Sequence, residues 1–245
     1  MGKYTDLFAL LGNYQVAKHT RLTQNKAIER ERLISLILES TTMAGHTLTK
    51  DKINTILSNG VQEVTPTNHD ELMVAGYQDA FMFVERLVAD QIELSENIVK
   101  EIHSLLYVGS SEDFRGQYRT DYITVPHAKN LPPVRHISYF MSKLFDEYKE
   151  PSNMDIIERI AWFHVKLEGI HSFEDGNGQV GRLIINYQLM KAGYPFVVFK
   201  HDIKKRYYKA LEIYQTELNL QPMVEIILEA LSEELQTRIT LLTNN

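Results

Sequence analysis

Apolar residues recur at helical spacing along almost the whole chain, and helix start and stop signals separate the segments. "TRLTQNKAIERERLISLILESTTM" predicts a long helix that stops near Gly45, and "TKDKINTILSNG" a short one opened by Thr49 and closed by Gly60. "DELMVAGYQDAFMFVERLVA" and "SENIVKEIHSLLY" follow, the latter with Ser95 as its N-cap. "VRHISYFMSKLFDEY", "SNMDIIERIAWFHVKLEGI", "GRLIINYQLMKAGYP" with Gly193 and Pro195 as its stop, "HDIKKRYYKALEIYQTEL" and "PMVEIILEALSEELQTRITLL" complete the helical set. One stretch breaks the rhythm. "FRGQYRTDYITVPHAKNLPP" joins a β-branched run to a polar turn and Pro-Pro, which predicts a short surface hairpin or flap. The expected fold class is all-α, a helical bundle with one short β-hairpin flap.

Composition narrows the functional classes. With 245 residues and 44% hydrophobic content, the chain can bury a full core. A net charge of −6 gives no basic footprint for a phosphate backbone, so no nucleic acid partner is expected. The sequence has no cysteine, which excludes disulfides, thiolate metal sites and a cysteine nucleophile. No signal peptide is read at "MGKYTDLFALLGNYQ", Asp6 spoils a myristoylation signal, and no apolar run reaches the ~18 residues of a membrane span. A cytoplasmic protein with no membrane partner is the expectation.

The densest chemistry lies in "HSFEDGNGQVGR", residues 171 to 182. Gly176, Gly178 and Gly181 spell the dinucleotide fingerprint, and Asp202 follows "PFVVF" at about the right distance, some 20 residues on. The upstream side fails, because that fingerprint leaves a strand directly and "IIERIAWFHVKLEGI" is spaced as a helix. A metal-dependent phosphohydrolase built from His164, His171 and His201-Asp202 is a second reading, although Asp202 is also explained as a helix N-cap. The third reading takes all twelve residues together. A Gly-Asn-Gly turn that opens a helix offers unpaired N–H groups and a positive dipole end to a phosphate. Beside it Asp175 can hold Mg²⁺, His171 suits a general base near neutral pH, and Arg182 lies one turn along and can reach back to the same anion. Base, metal ligand, phosphate cradle and cation together describe phosphoryl or nucleotidyl transfer. Phe173, an aromatic among polar neighbours, reads as a structural anchor for the loop.

This stretch resembles the signature of Fic-domain proteins, His-Pro-Phe-x-Asp/Glu-Gly-Asn-Gly-Arg-x-x-Arg. His171, Phe173, Asp175, Gly176, Asn177, Gly178 and Arg182 match it, whereas Ser172 replaces the proline and Gln179 the first arginine. The likeness continues through "GQYRTDYITV", "LPPV" and "GRLIINYQLMKAGYP" to "RYYKAL". It implies a Fic-type helical fold and an adenylyltransferase that moves AMP from ATP, with Mg²⁺, to a Ser, Thr or Tyr hydroxyl of a target protein, itself included. His171 would be the catalytic base and Asp175 the metal ligand. Gly176, Asn177, Gly178, Gln179 and Arg182 would hold phosphates, Tyr207 and Tyr208 would lie on the nucleotide side, and Ile123, Thr124 and Val125 would form the target-docking flap. An uncharged Gln179 grips phosphate more weakly than arginine. A homodimer is also expected from the resemblance, and a nucleotide-binding or protein-interaction module without transfer is the alternative.

Many members of that family carry an inhibitory helix with the pattern Ser/Thr-x-x-x-Glu-Gly/Asn. Ser40, Ala44 and Gly45 fit it in register, with alanine where the glutamate belongs, so Arg182 is expected to be free for the nucleotide. The rival register uses Glu39, about 140° around the helix from position 44. The expected organisation is 1–66 for the N-terminal helices, with the inhibitory-type helix at about 22–44, then 67–217 for the core and 218–245 for a C-terminal helix packed on it.

Overall fold

The computed structural model describes residues 2–59, 69–125 and 131–243. These residues form ten α-helices: α1 (Gly2–Thr20), α2 (Leu22–Ala44), α3 (Lys50–Asn59), α4 (His69–Ala89), α5 (Glu96–Leu106), α6 (Ile137–Lys149), α7 (Ile156–Ile170), α8 (Asn177–Lys191), α9 (Lys204–Glu217) and α10 (Gln221–Thr243). Local chemistry sets their ends. Asp155 and Glu158 form a reciprocal capping box, with Glu158 N–H donating to Asp155 Oδ1 at 2.9 Å, so α7 starts later than the apolar pattern suggests. The helix expected from His201 begins instead with a 3₁₀ turn, His201–Ile203, and becomes α-helical at Lys204. α1 is the element that the pattern did not single out. Its Leu7 and Tyr14 are buried while Phe8 and Val16 are exposed, which blurs the apolar stripe.

The expected hairpin is not seen: 122–125 carry no strand, and 126–130 lie outside the described residues. Rather than a partner strand, the guanidinium of Arg119 takes up the carbonyls of Asp121 and Pro132 on either side of this stretch.

Two apolar cores meet at α7 and α8. One gathers Val74, Tyr77, Phe81, Ile98, Ile102 and Met141 from α4, α5 and α6. The other gathers Leu7 and Tyr14 of α1 with Tyr207, Leu211, Ile227 and Leu231 of α9 and α10. α7 gives Phe163 and Leu167 to the first and Ile160 and Val165 to the second, and α8 likewise divides Leu183 and Ile184 from Ile185 and Leu189. A helix buried on both sides is apolar around most of its circumference, so these two are the least able to shift. The loop between them inherits that rigidity.

α2 is tied to α10 by charge as well as packing. Arg32 forms a two-pronged pair with Glu234, at 2.9 and 2.6 Å. Glu234 also accepts from Arg238 Nε at 2.7 Å, and buried Arg238 reaches Glu29 at 2.5 Å. Among the described residues no helix is long and apolar enough to cross a membrane.

Candidate functional site

α7 ends at His171, whose backbone turns into the left-handed region (φ 49°, ψ 62°) while its N–H still bonds Leu167 O at 3.1 Å. That conformation costs a non-glycine residue of the order of 1 kcal/mol, so the surroundings must hold it. Arg119 does so, donating from Nε to His171 O and from its backbone N–H to Ser172 O, both at 2.9 Å. Asn177 closes the next turn by donating Nδ2 to Phe173 O and accepting Phe173 N–H on Oδ1, each at 2.9 Å. Phe173 is buried and stacks on His103 with ring centres 4.0 Å apart. His103 is itself buried, and burial lowers its pKa to about 4, so its imidazole is neutral. Gly116 N–H donates to its Nδ1 at 2.9 Å. The proton therefore sits on Nε2, which faces Asp175 O at 3.2 Å.

Gly176 follows at φ 78° as the N-cap of α8. A Cβ there would lie 2.5 Å from the Tyr107 ring, so both the backbone angle and the space demand glycine. Asp175 Oδ1 accepts the Gly176 N–H at 2.7 Å. One turn on, Gly181 lets α8 approach α7, because a Cβ would meet Glu168 Oε1 at 2.7 Å and His164 Cε1 at 2.8 Å.

A cavity of about 310 Å³ opens over this junction. His171, Asp175, Gly176, Asn177, Gly178, Gln179, Arg182 and Tyr208 line it, with Ile123, Thr124 and Val125 on one flank and Ala44 on another. The start of α8 supplies amide donors and its dipole to the same space.

Several expected residues lie elsewhere or act differently. Tyr207 does not reach the cavity; it is wholly buried and shares a 2.5 Å hydrogen bond with His164 Nε2, which leaves Tyr208 as the tyrosine at the surface of the site. The Asn177 side chain is committed to the loop, so what it can offer a phosphate is its backbone amide. Phe173 packs beneath the site, and Gly45, at φ 102°, ends α2 as a left-handed C-cap. Arg182 is not free. Its Nε and Nη2 donate to Ser40 Oγ at 3.1 and 2.9 Å, and Nη2 also reaches Ser40 O at 3.1 Å. Removing a glutamate from position 44 does not release Arg182, because a serine one turn earlier holds it. Glu39 turns away to accept from His201 N–H at 2.7 Å, and the α2 residues in the cavity lining are Met43 and Ala44.

The cavity also contains groups outside the expected set of site residues. Glu168, on α7, is buried, and burial pushes its carboxyl up to about 7 with the Arg182 charge opposing that rise. Lys204 adds a cation where α9 begins, and Glu174 and Met43 complete the lining. The basic run before "RYY" hints at Lys204, and Glu168 is marked only by the Glu168-x-x-His171 spacing, a carboxylate-metal pattern with no second copy to complete a di-metal site. The residues of the phosphohydrolase reading do not gather. His164 is buried with its pKa lowered to about 3 by burial, whereas His201 is exposed and bonded to Glu39. No cluster of three or more metal-binding side chains occurs among the described residues.

Residues 93–189 match the Fic/DOC family model. The chain is 24% identical over 224 residues to the protein adenylyltransferase Fic of Drosophila persimilis, covering 89% of this chain and 43% of that protein. It is 25% identical over 209 residues to protein adenylyltransferase fic-1 of Caenorhabditis elegans, covering 84% of this chain and 41% of that protein. The chain thus spans less than half the length of these curated relatives. Among solved structures, a Fic domain containing signaling protein from Bacteroides thetaiotaomicron superposes with a TM-score of 0.86 at 19% identity, over 98% of this chain and 97% of that one. A fragment of C. elegans Fic-1 superposes at 0.82 and 23% identity, over 97% of this chain and 72% of that one. The segment that matches the Fic/DOC family model carries the cavity's loop, and the fold is shared almost end to end with a solved Fic-domain structure.

Proposed function

We propose that this protein is an adenylyltransferase that moves AMP from ATP to a hydroxyl side chain of a protein. The observation that carries the reading is that a histidine, an exposed carboxylate, a helix N-terminus and an arginine share one cavity. In this reading the amides at the start of α8 and the guanidinium of Arg182 receive the phosphates, with Lys204 and Tyr208 on the nucleotide side. His171 takes the proton of the target hydroxyl as its oxygen attacks the α-phosphorus; the bond to the bridging oxygen breaks and pyrophosphate leaves. Ile123, Thr124 and Val125 are, in this reading, the segment that meets the target.

The donor set suits Mg²⁺, which commonly takes one or two carboxylates and completes its shell with phosphate oxygens and water. Asp175 would hold it, and when bound it would neutralise phosphate charge. The name that the curated relatives share, protein adenylyltransferase, supports the same reaction class.

A nucleotide-binding module without transfer is the second reading. It is favoured by the uncharged Gln179 and by Arg182 being occupied by Ser40. The deciding experiment incubates the protein with α-labelled ATP and Mg²⁺ and weighs it by mass spectrometry. An added AMP that is lost, with rate falling by ~10² to 10⁴, in His171→Ala supports transfer. Binding without any adduct supports the module.

A further inference from the structure

Arg119 is nearly inaccessible to solvent, at 4% exposure, yet no carboxylate pairs with it among the described residues. Each of its three side-chain nitrogens donates to a backbone carbonyl: Nε to His171 O at 2.9 Å, one terminal nitrogen to Asp121 O at 3.0 Å and the other to Pro132 O at 2.9 Å. Its own N–H adds the Ser172 carbonyl at 2.9 Å. Burying a cation without an anion is costly, and burial accordingly lowers its pKa. A neutral side chain would fill the space at less cost. What a guanidinium supplies that others cannot is a rigid planar fork with donors in fixed directions.

The three carbonyls belong to chain stretches with separate tasks in the proposed reaction. His171 bears the base in a strained backbone conformation, and Asp121 and Pro132 flank the stretch whose residues 123–125 line the cavity. We propose that Arg119 is a positioning residue, a single fork that locks the backbone of the base and both shoulders of the target-facing segment into one rigid relation. The inference rests on the adenylyl-transfer reading for its catalytic consequence, but the mechanical link stands on the hydrogen bonds alone. Aligning an incoming hydroxyl with its base demands such a link, since a displacement of about 1 Å can lower a rate by around 10²-fold.

The test compares wild type with Arg119→Lys, which keeps the charge and loses the fork. Amide hydrogen exchange is expected to quicken at 120–125 and 171–173 together while α7 and α8 stay protected. Transfer to a protein acceptor should fall about 10²-fold in kcat, with KM for ATP changed less than about twofold. A purely structural role would instead loosen the whole bundle and move both constants with the folded fraction. Unchanged exchange at either stretch overturns the proposal, and so does a normal kcat in a variant whose two stretches have both loosened. If Arg119→Lys does not fold, Arg119→Gln, with a planar amide, is read in the same way; collapse of both variants makes the residue structural and overturns the proposal. A wild type that transfers no AMP refutes the adenylyltransferase reading, while exchange still decides whether Arg119 links the two stretches.

Discussion

The base of the cavity, 171–182, and its flanks, Ala44 on one side and 123–125 on the other, are built by different means. The base is held mostly by neighbours in sequence: the Asn177–Phe173 bond pair, the Asp175–Gly176 bond and the left-handed turns at His171 and Gly176 all lie within seven positions. The flanks are held by bonds that span the chain, with Ser40 and Arg182 separated by 142 positions and Arg119 and His171 by 52. Short-range bonds fix a shape whenever the local sequence is present. Long-range bonds let single side chains, Ser40 or Arg119, alter how each flank meets the base.

The largest expected effect strikes the base. Gly176→Ala forces an L residue to φ 78° and a methyl onto the Tyr107 ring, together worth about 3 kcal/mol or more. Thermal melting should show that loss, and melting as stable as wild type would mean that the base is not locally locked. The next effect is a pH limb. The folded pKa of His103 lies near 4, below the 6.5 of an unfolded histidine, so the unfolded chain binds more protons in that window and stability falls as pH drops from about 6.5 to 4. The single-group contribution is roughly 3 kcal/mol. Buried His164 acts in the same direction, while Glu168, raised to about 7, works against both. In Glu168→Gln the acid loss should steepen, read as denaturation midpoints across the pH range; a flattened limb would reverse the assigned sign.

On the flanks the effects are smaller. Ser40→Ala removes two hydrogen bonds from a buried guanidinium, leaving the one to the carbonyl of residue 40, and should cost about 1–3 kcal/mol. It should also tighten ATP binding, because Arg182 is held less firmly; calorimetry that finds weaker binding would sharpen the comparison the other way, making Ser40 a support for the cradle. Smallest is Ala44→Glu. A carboxylate in the cavity that Arg182 also lines should compete with phosphate and lower the transfer rate by about tenfold, the worth of one charge-assisted hydrogen bond. An unchanged rate in a labelled-ATP assay would separate position 44 from the site.

The same division explains what was legible in the sequence. Periodicity and caps located α2 to α10, and the glycines, Asp175 and His171 announced the base, because turns and helix starts leave local signatures. α1 was missed because its apolar stripe is interrupted by exposed Phe8 and Val16. Tyr207 and Tyr208 are adjacent letters about 100° apart on a helix, and only packing decides that the first enters the core and the second the cavity. The hold of Ser40 on Arg182, the reach of Arg119 and the buried carboxyl of Glu168 depend on elements meeting in space, which no single segment encodes.

The charged tie between α2 and α10 carries one more implication. Lifting α2 away would take Arg32 from Glu234 and Glu29 from Arg238, leaving these two buried α10 residues only each other as charged partners. The helix therefore behaves as masonry rather than as a door. Any on–off control exercised through its end has to work by exchange of contacts in place, at Ser40 or position 44, and should be fast, reversible and invisible to methods that detect only large-scale rearrangement.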